Sequence, residues 1–232
     1  MDIILIPGLW LDASSWDAVV PAIERAGHRA HPLTLPGMES KEADRSHVTL
    51  QDHIYAVVAA IDAVDGEVVL VGHSAGGGLA HAAVDARPDR VNRVVYVGGE
   101  PRGTDEGGSG FPTEGADAPL PDWSFFDDEM VADLDPGVRE RIRGGSVPSP
   151  VHAVTDGLDF GQDGLYDVPV TMITAEYDSE QLRKWIDAGE GGTEEMAKLR
   201  NAEWVDLHSG HWPQFSRVDD VARLIGEAAA RT

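Results

Sequence analysis

The chain lacks cysteine, is poor in lysine, and contains no long apolar run. Its 232 residues include no Cys, which excludes disulfide bonds, thiol catalysis and cysteine-ligated zinc. No stretch approaches the roughly 18 consecutive apolar residues of a transmembrane helix, so no membrane partner is expected. The N-terminal segment MDIILIP is too short and too acidic for a secretory signal, and it predicts a strand. We therefore expect a cytoplasmic protein.

Positive charge is also scarce. The sequence has 18 Lys and Arg residues against 41 Asp and Glu residues, a formal net charge of −23. A surface of this sign repels the phosphate backbone, so no nucleic-acid partner is expected. The nine histidines show no H-x-x-x-H spacing, so neither a metal nor a cofactor is expected.

What is present is a regular alternation of apolar runs and helical patterns. Most of the runs are β-branched and continuous, as in strands that are covered on both faces of a parallel sheet. The strand candidates are residues 3–6, 30–35, 68–71, 94–97, 170–174 and 203–207, and the helix candidates are residues 14–25, 48–64, 74–86 and 218–230. This alternation predicts an α/β fold: a mostly parallel sheet of six or seven strands with helices on both faces.

One long segment interrupts the alternation. Residues 100–166 are rich in Gly, Pro and Asp, with short helical patterns at 127–134 and 136–143. Connections of this length inside a compact domain are usually functional. We predict a small cap over a ligand pocket at 100–166, inserted into a core formed by residues 1–99 and 167–232.

The most informative motif is VGHSAGG at residues 71–77. It contains G-x-S-x-G and lies between a strand candidate and a helix candidate. In that context the serine of the motif sits on a sharp turn, and the flanking glycines let the backbone pack closely around it. The motif predicts that Ser74 is a nucleophile.

A nucleophilic serine needs a base and an acid. His211 follows the last strand candidate and is the predicted base, with His208 as the alternative. Asp178, after the strand at 170–174, gives the order Ser, Asp, His and is the predicted acid. Glu176 and Glu100, which also follow strand candidates, remain open as the acid.

The site also needs donors for a developing oxyanion. The first is expected to be the backbone N–H of Ala75, the residue after the nucleophile. The second is expected from the loop after the first strand, where Gly8 permits close approach and the N–H of Leu9 is the candidate. Four aromatic residues are predicted to line a pocket for an apolar or aromatic ligand: Trp10, Trp123, Phe126 and Trp212.

These segments resemble the α/β-hydrolase fold superfamily over the whole chain. The sequences IPGLW at 6–10, AGH at 26–28 and LPG at 35–37 resemble its small esterase and hydroxynitrile-lyase-like branch, which includes methyl-salicylate esterases. The resemblance implies a Ser–His–Asp triad, an oxyanion hole and a helical cap. Two positions depart from the pattern: the usual His-Gly is Pro7-Gly8, and the usual Gly-x-x-Asp begins with Ala175.

The resulting functional hypothesis is a serine esterase that cleaves a small carboxylic ester through an acyl-enzyme. The alternatives are a non-catalytic or slow ligand receptor on the same fold, or an enzyme of the hydroxynitrile-lyase or perhydrolase type. A lyase of that kind usually has a cap lysine, and no lysine lies between Glu42 and Arg183.

Overall fold

The structure is a computed structural model, and it describes residues 1–101, 110–161, 163–190 and 192–231. Its strands are β1 (Asp2–Ile6), β2 (Arg29–Pro32), β3 (Val68–His73), β4 (Val91–Val97), β5 (Asp117–Ala118), β6 (Ser149–Pro150), β7 (Val170–Thr174) and β8 (Ala202–Asp206). Its helices are α1 (Val20–Arg25), α2 (Leu50–Asp62), α3 (Ala75–Ala86), α4 (Asp128–Val131), α5 (Pro136–Gly145), α6 (His152–Thr155), α7 (Ser179–Ala188), α8 (Glu194–Lys198), α9 (Pro213–Ser216) and α10 (Val218–Ala229). Among these residues no helix is long and apolar enough to cross a membrane.

The main sheet is parallel throughout. Its six strands lie in the order β2-β1-β3-β4-β7-β8, which confirms the predicted α/β architecture. All residues of β1 and β3 are buried, because both strands lie inside the sheet with helices over each face. The chain crosses from one strand to the next so that the loops after β1, β3, β4, β7 and β8 meet at one edge. This edge carries the candidate site.

Alternate residues of the central strands enter different cores. Ile4 and Leu70 belong to a core under α2 and α3. Leu5 and Val71 belong to a second core under α1 and α10. The period of two along each strand thus explains why these runs are apolar without interruption.

The predicted helix at 14–25 is divided in the structure. A 3₁₀ turn at Ala13–Trp16 is followed by α1, which begins at Val20. Pro21 lies in the first turn of α1, where the missing N–H of proline does no harm, whereas it would break a helix that continued from residue 14.

Between β4 and β7 the chain forms the inserted segment, by which we mean the described residues 110–161. It contains the ribbon of β5 and β6 and the helices α4, α5 and α6. The helices predicted at 127–134 and 136–143 correspond to α4 and α5. Residues 102–109 of the predicted cap lie outside the described residues, and the division into core and cap stays a prediction.

A third apolar cluster joins the inserted segment to two loops at the sheet edge. It contains Trp10 from the loop after β1, Trp212 from the loop after β8, and residues of the inserted segment between them, namely Phe126, Val131, Leu134, Val138 and Ile142. The inserted segment therefore packs directly on both loops.

Candidate active site

Ser74 occupies the turn between β3 and α3 in a strained backbone conformation. Its φ of 51° and ψ of −126° lie outside the regions that residues with a Cβ normally adopt. The neighbouring positions must be glycine, because a side chain there would clash with the backbone. A Cβ on Gly72 would lie 2.6 Å from the carbonyl carbon of Gly76, and one on Gly76 would lie 2.7 Å from the oxygen of Ile6. The turn raises Ser74 above the sheet edge, as the motif predicts.

A chain of hydrogen bonds connects Ser74 to a histidine and a carboxylate. The Nε2 atom of His211 is 2.8 Å from Ser74 Oγ, and its Nδ1 atom contacts the Oε1 atom of Glu176. Because the carboxylate accepts the Nδ1 proton, Nε2 is free to accept the serine hydroxyl proton. The side chains of His211 and Glu176 are 15% and 11% exposed, so little water competes for these bonds.

The structure corrects the predicted partner of His211, which was Asp178. The Asp178 carboxylate instead accepts the backbone N–H of Gln181 at 2.8 Å and caps the N-terminus of α7. The chain turns into α7 directly after β7. The residue two positions earlier, Glu176, therefore faces the loop at residues 207–212, which carries His211 and is called the histidine loop below. Glu100 lines the adjacent cavity, and His208 is exposed with a φ of 51°.

The two predicted oxyanion donors flank Ser74. Ala75 is the first residue of α3, where backbone N–H groups have no acceptor within the helix. Leu9 lies in the loop after β1 and lines the same cavity as Ser74 and Ala75. A Cβ on Gly8 would lie 2.9 Å from Ser74 Cβ, which shows how closely this loop approaches the nucleophile.

The inserted segment holds the loop after β1 through Trp10, which has a φ of 64°. The Trp10 backbone N–H donates to Ser149 Oγ at 2.8 Å, and its indole N–H donates to the carbonyl of Ala118 at 3.0 Å. The Trp10 carbonyl in turn accepts the N–H of Val147 at 2.9 Å. No local sequence pattern signals these contacts, because they join residues more than 100 positions apart.

His73, the second residue of the G-x-S-x-G motif, is buried next to the candidate triad. Its Nε2–H donates to the backbone carbonyl of His211 at 2.7 Å. Burial, together with the nearby charge of His211, lowers the pKa of His73 to about 3. The His73 ring is therefore neutral at physiological pH.

A cavity of about 530 Å³ opens beside Ser74. Its described lining includes apolar groups such as Phe111, Leu158 and Leu182 and the carboxylates of Glu100 and Asp156, but no lysine or arginine. The four predicted pocket aromatics are not among the lining residues. These four rings, Trp10, Trp123, Phe126 and Trp212, instead contact one another in the seam between the inserted segment and the two loops. Phe126 meets Trp10 and Trp212 edge to face, Trp123 meets Trp212 edge to face, and Trp123 and Phe126 are tilted. Large rings bury more apolar area there than at an open cavity wall.

Comparisons with known proteins agree with this architecture. A sequence model of the Alpha/beta hydrolase family matches residues 3–224. The pyrethroid hydrolase of Sphingobium wenxiniae is 35% identical over 97 residues, which are 41% of this chain and only about a third (35%) of that protein. The 2-hydroxymuconate semialdehyde hydrolase of a Pseudomonas species is 26% identical, over 94% of this chain and 81% of that protein. An extracellular α/β-hydrolase from a Paenibacillus species superposes with a TM-score of 0.77 at 20% identity, covering 98% of each chain, and this likeness concerns the fold.

Proposed function

Since the chain belongs to the alpha/beta hydrolase family, we propose that it hydrolyses a small, uncharged carboxylic ester, with Ser74 as the nucleophile, His211 as the base and Glu176 as the acid. The observation that carries the proposal is the hydrogen-bonded series from Ser74 Oγ through the His211 ring to the Glu176 carboxylate. A serine hydroxyl is a weak nucleophile at neutral pH, and this arrangement is the usual means of activating it.

The proposed reaction has two halves. His211 Nε2 takes the Ser74 proton as Oγ attacks the ester carbonyl, and the N–H groups of Leu9 and Ala75 donate to the oxyanion. Collapse of the tetrahedral intermediate expels the alcohol, which receives its proton from His211, and leaves an acyl-serine. Water then gives a proton to His211 and attacks the acyl group. The second tetrahedral intermediate collapses with cleavage of the bond from the acyl carbon to Oγ, His211 returns its proton to Ser74 Oγ, and the carboxylic acid leaves. Glu176 stabilises the imidazolium in each half, and the reaction requires no cofactor.

Two observations, one on the cavity and one on the relatives, support the proposed substrate class. Several relatives have names that contain hydrolase or esterase, including a pyrethroid hydrolase and a rice esterase. The described lining carries the carboxylates of Glu100 and Asp156 without a lysine or arginine, so an ester bearing its own carboxylate lacks a counter-charge there. We therefore propose neutral esters with apolar groups as substrates.

The experiment combines turnover with covalent labelling. The wild-type protein should hydrolyse p-nitrophenyl acetate and react with a fluorophosphonate probe at Ser74, and Ser74→Ala should lose both activities. Ser46→Ala, which changes an exposed loop serine, is the matched control and should retain both. Undiminished hydrolysis by Ser74→Ala would refute the assignment. A wild-type protein that neither turns over esters nor accepts the probe would favour a ligand receptor on the same fold.

A further inference from the structure

His73 lies at the junction of three parts of the candidate site. It precedes Ser74 in the chain, and the residue is 1% exposed. On one side its Nε2–H donates to the carbonyl of His211, and the two rings are 5.3 Å apart. On the other side, a Cβ on Gly8 would lie 2.8 Å from its Nδ1 atom. One imidazole thus touches the loop of the base and the loop of the oxyanion donor.

The loop that carries His211 has little regular structure of its own. Residues 207–212 lie between β8 and α9 and belong to no helix or strand, although the N–H groups of Leu207 and Ser209 donate to the carbonyls of Thr174 and Ala175 at the end of β7. The backbone of His211 is nevertheless fixed at both of its polar groups: its N–H donates to the carbonyl of Met130 at 2.8 Å, and its carbonyl accepts from His73. The hydrogen bond from His73 connects this backbone to the turn between β3 and α3 that carries Ser74.

The charge state of His73 suits this position. Donation from Nε2 fixes the ring as the Nε2–H tautomer, and the buried Nδ1 atom has no hydrogen-bond partner among the described residues. A second positive ring 5.3 Å from His211 would oppose the imidazolium that ester hydrolysis requires. Burial keeps His73 neutral, so it can hold the His211 backbone without opposing the charge on the His211 ring.

We propose that His73 is a positioning residue, which holds the His211 backbone so that Nε2 stays within hydrogen-bonding distance of Ser74 Oγ. The proposal rests on the proposed function. It assigns to the second residue of the G-x-S-x-G motif a task distinct from the tight packing that the glycines serve. Misplacement of a catalytic group by about 1 Å can cost on the order of 100-fold in rate, so a single backbone hydrogen bond can matter this much.

The test compares two substitutions with a matched control. His73→Leu keeps an apolar volume and removes the donor, whereas His73→Gln can place an amide N–H close to the position of Nε2. His81→Leu changes a second buried histidine, 2% exposed, whose Nδ1 contacts the hydroxyl of Tyr96 instead of the histidine loop. We expect kcat for p-nitrophenyl acetate to fall about 10- to 100-fold in His73→Leu with KM within about twofold. His73→Gln should recover most of kcat, and His81→Leu should keep it.

Nuclear magnetic resonance supplies a readout that does not depend on turnover. In the wild-type protein, imidazole nitrogen shifts should show His73 as a neutral Nε2–H ring down to about pH 4.5. The downfield proton of His211 Nδ1–H, assigned by its loss in His211→Gln, should shift or broaden in His73→Leu and return in His73→Gln. Titration of His73 near pH 6.5 would overturn the proposal, even if the substituted proteins fail to fold. So would an unchanged His211 signal or an unchanged kcat in a folded His73→Leu protein. Failure of the proposed function alone would leave these spectra as expected but abolish hydrolysis in the wild type.

Discussion

Replacing the carboxylate that contacts His211 gives a sharp test of the proposed triad. Glu176→Gln keeps the length of the side chain but removes the charge and two of its acceptor sites. The amide can donate to His211 Nδ1, which favours the tautomer with its proton on Nε2. That tautomer cannot accept the Ser74 proton, and the imidazolium also loses its counter-charge.

Glu176→Gln should lower kcat strongly and change the free energy of unfolding little. Converting the carboxylate of a Ser–His–Asp triad to an amide lowers kcat by roughly 10⁴-fold, which corresponds to about 5 kcal/mol at 1.36 kcal/mol for each factor of ten. The Glu176 side chain is 11% exposed and the two side chains have similar volumes, so no cavity forms. The free energy of unfolding should therefore change by less than about 2 kcal/mol.

The matched control is Asp178→Asn, which makes the same chemical change two residues away. Asn caps a helix about as well as Asp, so the stability of α7 should be kept. Hydrolysis of p-nitrophenyl acetate, measured between pH 6 and 9, should fall steeply in Glu176→Gln and stay within about threefold of wild type in Asp178→Asn. The opposite ranking, with a folded Glu176→Gln enzyme at near wild-type rate, would refute the assignment of Glu176.

Two further predictions concern packing and pH. A Cβ on Gly210 would lie 2.6 Å from the carbonyl oxygen of Met130. Gly210→Ala should therefore lower the free energy of unfolding, measured by urea titration, by about 1–3 kcal/mol, and it should reduce kcat. A stable, fully active variant would contradict this packing. Burial lowers the pKa of His81 to about 4 from its usual 6.5, so the unfolded chain binds more protons between these values, and stability falls as the pH drops through this window. Urea titrations at pH 7 and pH 5 give the free energy of unfolding at each pH. Between these two pH values, His81→Leu should lose about 2 kcal/mol less of this free energy than the wild type. Equal losses in the two proteins would show that His81 contributes nothing to the pH dependence.

Much of the fold can be read from the sequence because burial on both faces leaves a strong local signal. The continuous apolar runs of β1 and β3 predict internal strands of a parallel sheet, and those strands are buried throughout. The position of Ser74 on a tight turn is predictable for a similar reason, because only glycine fits at the crowded backbone positions around it. The single helix predicted at 14–25 is wrong because of Pro21. Proline is tolerated in the first turn of a helix but breaks a helix that has begun earlier, and the sequence does not show where the helix begins.

The partner of His211 depends on distances that the sequence does not contain. Glu176 and Asp178 both follow β7, and the choice depends on where the chain turns into α7. The carboxylate of Asp178 caps the N-terminus of α7, and the longer side chain of Glu176 contacts His211 instead. The aromatics fail as pocket predictions because apolarity alone does not say whether a ring faces a ligand or another ring.

The seam between the inserted segment and the two loops gives the protein an optical signature. Trp123 and Trp212 meet at right angles with ring centres 5.5 Å apart, and Phe126 lies 5.1 Å from Trp212. Indole rings packed in such an asymmetric environment give bands in near-ultraviolet circular dichroism. Because Trp212 follows His211 in the chain, these bands monitor the seating of the histidine loop against the inserted segment in unlabelled protein.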